Sequence, residues 1–372
     1  MKIVHIANFY SEKSGGIKTT IAQLGRLYQS QGHEFFYMVP GARYSVESQP
    51  NGTQITLPGF PIPFSGGYRI IRSNREVRKL LSLLKPERIE ISDRLTLRRI
   101  GLWARRRSIH SVVFSHESLE ELVKRFVPYK FVLRFVEWHN ARLARSFDWV
   151  ITSTEFAARE FRKLNIANLK KVPLGVDLET FQPMRRNLDL RKKLLQGEEI
   201  LMVHCGRLFI EKNPEQSFRT FQELRRQGMR VRLIYVGMGP LYPRLMKLAE
   251  GQHVEFLGYV VSPLKVAEIL ASADVVLAPG PHETFCLAAL EALACGTPVV
   301  ASSRSAVGEI LHNDRGMILG GICGDDPVEW ASAVNRLLHQ KGLRENCRSR
   351  AENFPWSSTI SNLISTHDGI AA

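Results

Sequence analysis

Short β-rich runs alternate with helical stretches in both halves of this chain, and that alternation limits the fold more than any other feature. Lys2–Ala7 reads as a strand, and residues 8–16 read as a turn-rich loop containing Gly15 and Gly16. A helix follows with apolar residues at Ile17, Ile21, Leu24 and Tyr28, whose spacing keeps them on one face. Gly32 stops it, and residues 34–39 form the next strand. A strand joined to a strand through a helix pairs in parallel, because a parallel neighbour needs a long crossover. Further strands are predicted at residues 54–57, 89–92, 111–115 and 149–153, with basic helices at 73–84 and about 95–107.

The second half repeats the pattern. Strands are predicted at residues 200–205, 231–236, 254–257, 274–278 and 298–301. Helices are predicted at 214–227 (opened by Pro214), 241–250, 263–271 and from about Thr284 to Cys295, with a capped one from Asp326. A length of 372 residues suits two domains of about 150 each. The expected architecture is α/β, two doubly wound parallel-sheet domains meeting near residues 164–181, where Pro173 and Gly175 interrupt the pattern. Such sheets bind ligands beyond the carboxyl ends of their strands, so the loops leaving those strands are where function is sought.

Composition narrows the class. Five cysteines, odd in number and all in the second half without C-x-x-C, exclude a disulfide scaffold and argue against a zinc cluster. No apolar run approaches the ~18 residues of a membrane span, and the opening residues are too short for a signal peptide, which points to the cytoplasm. The net charge of +15 is lopsided: residues 1–180 carry +13 and the remainder +2. Residues 69–107 hold 13 basic and 4 acidic residues, with Arg72, Arg75 and Lys79 alternating with Val77, Leu80, Leu81 and Leu84. Residues 118–138 add an apolar stripe (Leu119, Leu122, Val123, Phe126, Val127) and then Lys124, Arg125, Tyr129, Lys130, Phe131, Arg134, Phe135 and Trp138. Cations beside aromatics suit an anionic membrane surface, at about 1 kcal/mol per basic residue near it. Nucleic acid is the rival partner, but no helix-turn-helix, RNA-binding or zinc pattern is present and none is expected to bind.

Three constellations carry chemistry. In residues 278–300 a strand ends, a Pro/Gly turn follows, and a helix begins whose first amides (Phe285, Cys286, Leu287) are donors at the positive end of a dipole, ready for a phosphate. Glu283 and Glu291, eight residues apart, would stand ~12 Å apart at helical rise, about the reach of a nucleotide sugar. The alternative is a capping and a solvated carboxylate. Residues 203–214 place Gly206, Arg207 and Lys212 after a strand, two cations suited to a diphosphate whose charge grows as a bond breaks; pairing with Glu211 is the alternative. Gly15 and Gly16 permit a positive φ and bring backbone N–H groups close to a ligand, without the G-x-G-x-x-G of a dinucleotide site. His116, at a strand end, can hydrogen-bond a sugar hydroxyl or help move a proton, or be a satisfied structural histidine. Asp93 and Arg94 end another strand and could touch an acceptor or form a local ion pair.

Together these residues, with Ala292, Gly296, Pro298 and the segment 172–181, resemble the retaining GT-B glycosyltransferases of family 4. Within it, Asn8-Phe9-Tyr10, residues 92–98 and residues 278–293 look most like actinobacterial GDP-mannose-dependent α-mannosyltransferases acting on membrane lipids. The resemblance implies an acceptor domain at 1–172, a donor domain at 173–355 and a terminal helix in 356–372 (about 356–365) returning to the first. It implies Arg207 and Lys212 on the donor diphosphate, Glu291 on the ribose, Glu283 on the sugar hydroxyls, the Gly16 amide on phosphate and His116 on the sugar. It further implies transfer with retention and no bound metal; no Asp-x-Asp is present, and front-face attack is expected, the departing phosphate oxygen taking the acceptor's proton. The expected partners are a nucleotide sugar, a lipid-linked acceptor and the inner face of the plasma membrane, with a soluble UDP-glucose or UDP-N-acetylglucosamine enzyme as the alternative and a nucleic-acid binder as the distant one. Cys286 stands where the family usually has glycine. Near a helix start and two cations it is expected to have a lowered pKa and react with alkylating agents.

Overall fold

The computed structural model describes residues 1–10, 15–63, 65, 67–123, 129–312 and 319–369. The chain divides into two compact units, Met1–Leu174 with Trp356–Ala372, and Gly175–Pro355.

The first unit is built on strands β1 (Lys2–Ala7), β2 (Glu34–Gly41), β3 (Ser45–Gln49), β4 (Gly52–Pro61), β5 (Arg69–Ile71), β6 (Arg88–Ser92), β7 (His110–Ser115), β8 (Trp149–Thr152) and β9 (Leu169–Lys171). Their order is β3-β4-β2-β1-β6-β7-β8-β9, with β5 also on β4; β3 and β5 run antiparallel to β4 and the other pairs are parallel. Strand β1 explains the layering. Val4 and Ile6 point into one core with Met38, Ile89 and Ile91, while Ile3 and Ala7 point into the other with Leu24, Tyr28 and Phe35. Because both faces are covered, the strand reads as an unbroken apolar run rather than an alternating one. Ile360 and Leu363 of the terminal helix Trp356–His367 complete the second core.

The second unit has six strands, β10 (Ile200–Cys205), β11 (Val231–Val236), β12 (Val254–Phe256), β13 (Val275–Ala278), β14 (Val299–Ser302) and β15 (Gly320–Cys323). All are parallel, in the order β12-β11-β10-β13-β14-β15. The chain starts at the centre, walks to one edge, returns and walks to the other, which is the Rossmann order.

Several elements depart from the sequence expectations for physical reasons. The helix expected from about residue 95 starts at Arg98, because the Asp93 carboxylate accepts from the amides of Leu95 and Thr96 and holds them in a turn. The helix expected at Thr284 starts at Leu287, with Cys286 left-handed before it. Strand β15 carries no β-rich run in sequence because Gly320 and Gly321 open it; a Cβ at Gly320 would lie 2.0 Å from the Val299 carbonyl oxygen, so the strand packs too closely there for a side chain. The basic stretch after Leu119 forms helix Tyr129–Ala144, with Phe131, Phe135 and Trp138 exposed. Lys124, Arg125, Phe126 and Val127 lie outside the described residues. Among the described residues no helix is long and apolar enough to cross a membrane.

Candidate active site

In the second unit the strand order reverses between β10 and β13, so the loops leaving these two neighbours part to opposite sides and leave a crevice. Arg207 and Lys212 lie on the first loop and Glu283 on the second. They meet: Lys212 Nζ donates to Glu283 Oε1 at 2.5 Å across 71 positions of sequence. Arg207 Nη2 donates to Glu211 Oε1, also at 2.5 Å, so the alternative partner named from sequence is the one observed. Gly280 makes the junction possible, since a Cβ there would stand 3.1 Å from Glu283 Oε1 and 3.2 Å from the Glu211 carbonyl oxygen. The sequence shows Gly280 as part of a Pro/Gly turn but not as the point of close approach.

Gly206 turns the chain at φ +158°, although a Cβ on it would meet nothing within 4 Å. The close approach belongs to Gly237, at φ +140°, where a Cβ would fall 1.9 Å from the Gly206 carbonyl oxygen. Gly206 N–H and Leu208 N–H donate to Val236 and Met238 carbonyls, so the cation-bearing loop is pinned to the loop after β11.

Helix Leu287–Ala294 presents Glu291 one turn in, on an otherwise apolar helix whose Ala289, Leu290, Ala292, Leu293 and Ala294 are buried. Glu283 lies four residues before that helix, so the ~12 Å separation expected from continuous helical rise does not apply to the pair. Burial, and then the nearby Asp177 carboxylate, push the Glu291 carboxyl up to about 7. Burial works against the Lys212 ammonium, but the Glu283 carboxylate outweighs it and raises its pKa. Cys286 corrects an expectation outright. Burial and the Glu283 charge push its thiol up to about 12, against the smaller pull of Lys212, so it is held neutral rather than activated. Its φ of +74° confirms a position that suits glycine, at about 1–2 kcal/mol for a side chain.

In the first unit the order reverses between β1 and β6. Gly15 caps helix Gly16–Ser30 at φ −77°, so the positive φ expected there is not used. A Cβ at Gly15 or Gly16 would meet nothing within 4 Å. Asp93 accepts from Asn8 Nδ2 at 2.7 Å and Thr96 Oγ1 at 2.5 Å besides its two amides. Arg94 donates to Ser115 Oγ, the Glu117 carbonyl, Asn140 Oδ1 and Glu160 Oε2 at 2.6–2.9 Å, and lies over the Phe161 ring. Both are buried, and the hydrogen bonds named here all run to the chain's own groups. His116, at the end of β7, stacks on Phe114 and places Nε2 2.9 Å from Ser92 Oγ. Burial, and then His5, push its pKa down to about 4, so the ring is neutral near pH 7. Among the described residues no three His, Cys, Asp or Glu side chains are grouped to hold a metal ion.

Residues 199–340 match the family model described as "Glycosyl transferases group 1", and residues 14–180 match "Glycosyltransferase Family 4". The chain is 42% identical, over all of its length and 97% of the relative's, to a GDP-mannose-dependent α-(1-6)-phosphatidylinositol dimannoside mannosyltransferase of Mycobacterium tuberculosis. Two solved structures share its GT-B fold. Sucrose-phosphate synthase from Thermosynechococcus elongatus has a TM-score of 0.77 at 20% identity, covering 99% of this chain and 98% of its own. WaaG, a glycosyltransferase involved in lipopolysaccharide biosynthesis, has 0.72 at 17%, covering 98% and 100%. A Rossmann-ordered unit with paired cations and carboxylates at its switch point, and likeness along the full chain, together make this protein a member of the family 4 glycosyltransferases.

Proposed function

We propose that this glycosyltransferase moves mannose from GDP-mannose to a glycolipid of the phosphatidylinositol mannoside class, with retention and without a bound metal. The observation that carries the reading is the 42% identity along the whole chain to the mycobacterial enzyme of that specificity. The switch-point geometry supports it. Arg207 and Lys212 hold the diphosphate, aided by the amides that open helix Leu287–Ala294; Glu283 takes sugar hydroxyls and Glu291 the ribose. Diphosphate binding exchanges Glu211 and Glu283 for phosphate oxygens as partners of the two cations. The Gly16 amide meets phosphate and His116 a sugar hydroxyl. The cations and amides stabilise the charge that grows on the departing diphosphate, whose oxygen takes the acceptor's proton on the same face of the sugar.

The acceptor's membrane is met by the basic side of the first unit, at the inner face of the plasma membrane. A groove of about 610 Å³ is lined by Arg75, Arg78, Lys79, Arg99, Arg106 and Arg107, with no carboxylate among its lining residues. Burial and then the neighbouring Arg142 and Arg99 charges lower the pKa of Arg98, a sign of cations crowded on this side. Exposed Phe131, Phe135 and Trp138 supply apolar contact.

The test is transfer of labelled sugar to phosphatidylinositol mannosides in anionic vesicles, with EDTA present. GDP-mannose is expected to serve and UDP-glucose to fail, and added salt to weaken vesicle binding. Preference for a UDP-sugar, strict need for a divalent ion, or equal binding to neutral vesicles would each overturn its part of the proposal.

A further inference from the structure

The groove on the basic side of the first unit is built from two facing stripes. Helix Asn74–Leu84 exposes Arg75, Arg78 and Lys79, spaced three and then one apart, while Val77 and Leu81 enter the core. Helix Arg98–Arg105 and the turn after it expose Arg99, Arg106 and Arg107, with Ile100 and Ala104 in the core. Residues three, four and seven apart share one helix face, so six cations line one recess of about 610 Å³. Leu102 and Trp103 line it too, and the Arg107 guanidinium lies 4.4 Å from the centre of the Trp103 ring.

Like charges at these spacings repel, and elsewhere on this chain exposed arginines are relieved by carboxylates. Arg162, Arg226, Arg230 and Arg304 pair with Glu155, Glu223, Glu199 and Asp325. In the groove the pattern breaks: among the described residues none of the six cations forms an ion pair, and no carboxylate lines the recess. The volume is that of a small-ligand pocket, not of a flat contact. The eight residues of helix Arg98–Arg105 span ~12 Å, well short of the ~34 Å of one DNA turn, so the groove does not track a duplex. It suits a compact group bearing several phosphates, each taken by a guanidinium fork.

We infer that this groove is a binding site for one lipid headgroup carrying two or more phosphates close together, separate from the nucleotide-sugar crevice of the second unit. The inference rests on the reading of this side as the membrane-facing one. A diffuse basic face senses only the charge density of a membrane. A recess with cations on two walls senses how that charge is clustered. Leu102 and Trp103 offer apolar surface to the lipid's glycerol backbone, which a free polyphosphate would leave unused.

The test compares phosphatidylcholine vesicles that are unmodified, that carry phosphatidylglycerol, or that carry half that molar amount of cardiolipin. The last two have the same surface charge, but cardiolipin joins two phosphates in one headgroup. Binding of the whole chain is read by co-sedimentation with excess GDP present, which keeps the nucleotide crevice filled. Cardiolipin vesicles are expected to bind about tenfold more tightly than phosphatidylglycerol ones, the scale of one or two added charge contacts. Arg78→Ser with Lys79→Ser, and separately Arg99→Ser with Arg106→Ser, each strip one wall. In either variant the two anionic vesicles should become equivalent, while the thermal melt, relieved of a repulsion, does not fall. Equal binding of wild type to both anionic vesicles, above neutral ones, would overturn the headgroup site and leave the membrane-facing reading standing. Equal binding to all three would overturn both. A cardiolipin preference that survives in both variants would also overturn the site, and tighter binding of tripolyphosphate or a short DNA duplex than of cardiolipin vesicles would overturn the lipid assignment.

Discussion

Glu291 stands out among single residues because its carboxyl is raised to about 7 where an ordinary one titrates near 4.5. Below 4.5 it is protonated in folded and unfolded chains alike, and its environment costs nothing. Between 4.5 and 7 the unfolded chain releases a proton that the folded one keeps, so stability falls as pH rises and then levels off. A ribose hydroxyl donates best to the carboxylate, so GDP affinity should move the opposite way, rising with pH and levelling off above about 7. Glu291→Gln should flatten both profiles, as followed by urea melts and calorimetric titration from pH 5.5 to 8; a wild-type affinity flat over that range would contradict the ribose contact. The residue types of Arg207, Lys212, Glu283 and Glu291 were legible because each follows a recognisable strand end or lies on a recognisable helix. Their partners were not. Lys212 finds Glu283 from 71 positions away, and the fate of Cys286 depended on burial by neighbours that no local pattern announces.

At the scale of elements, the cation-bearing loop owes its shape to the loop beside it. Gly237 and Gly239 let the turn after β11 press against the backbone of Gly206 and Leu208, with an imagined Cβ at Gly239 only 2.3 Å from the Leu208 carbonyl oxygen. Gly237→Ala should therefore displace Arg207 and weaken GDP binding by about tenfold or more, alongside a fall of several degrees in Tm. Unchanged binding measured by calorimetry would mean that the loop holds its course without that contact. Strand–helix alternation was readable here because parallel strands buried on both faces give plain apolar runs. Antiparallel β3, with Ser45, Glu47 and Gln49 in an exposed stretch, carries no such run and was not foreseen.

For the whole molecule, the chain's last helix belongs with its first strands. Trp356, Ile360 and Leu363 are buried, and His367 Nε2 lies 2.9 Å from Oε1 of the buried Glu90. Removing residues 356–372 strips about 1.5–3 kcal/mol for each large apolar side chain uncovered and leaves a buried carboxylate short of a partner. Denaturant unfolding of the shortened chain should show a new early transition for the first unit, with the second unit's transition kept in place. Superimposable curves for both chains would deny the helix that role. The two-unit division was suggested by Pro173 and Gly175, but the return of a segment nearly two hundred residues later leaves no trace in local sequence.

The second unit also begins and ends at one spot. Val176 pairs with Pro355 in a parallel bridge, and the Val176 amide donates to the Phe354 carbonyl at 2.9 Å. Residues 175–355 are thus a closed loop of chain hung from two adjacent threads, the geometry that tolerates transplantation. A unit whose ends lie side by side suits splicing into the surface turn of an unrelated host, or reopening elsewhere by circular permutation. The same two cuts would exchange it between different host frames.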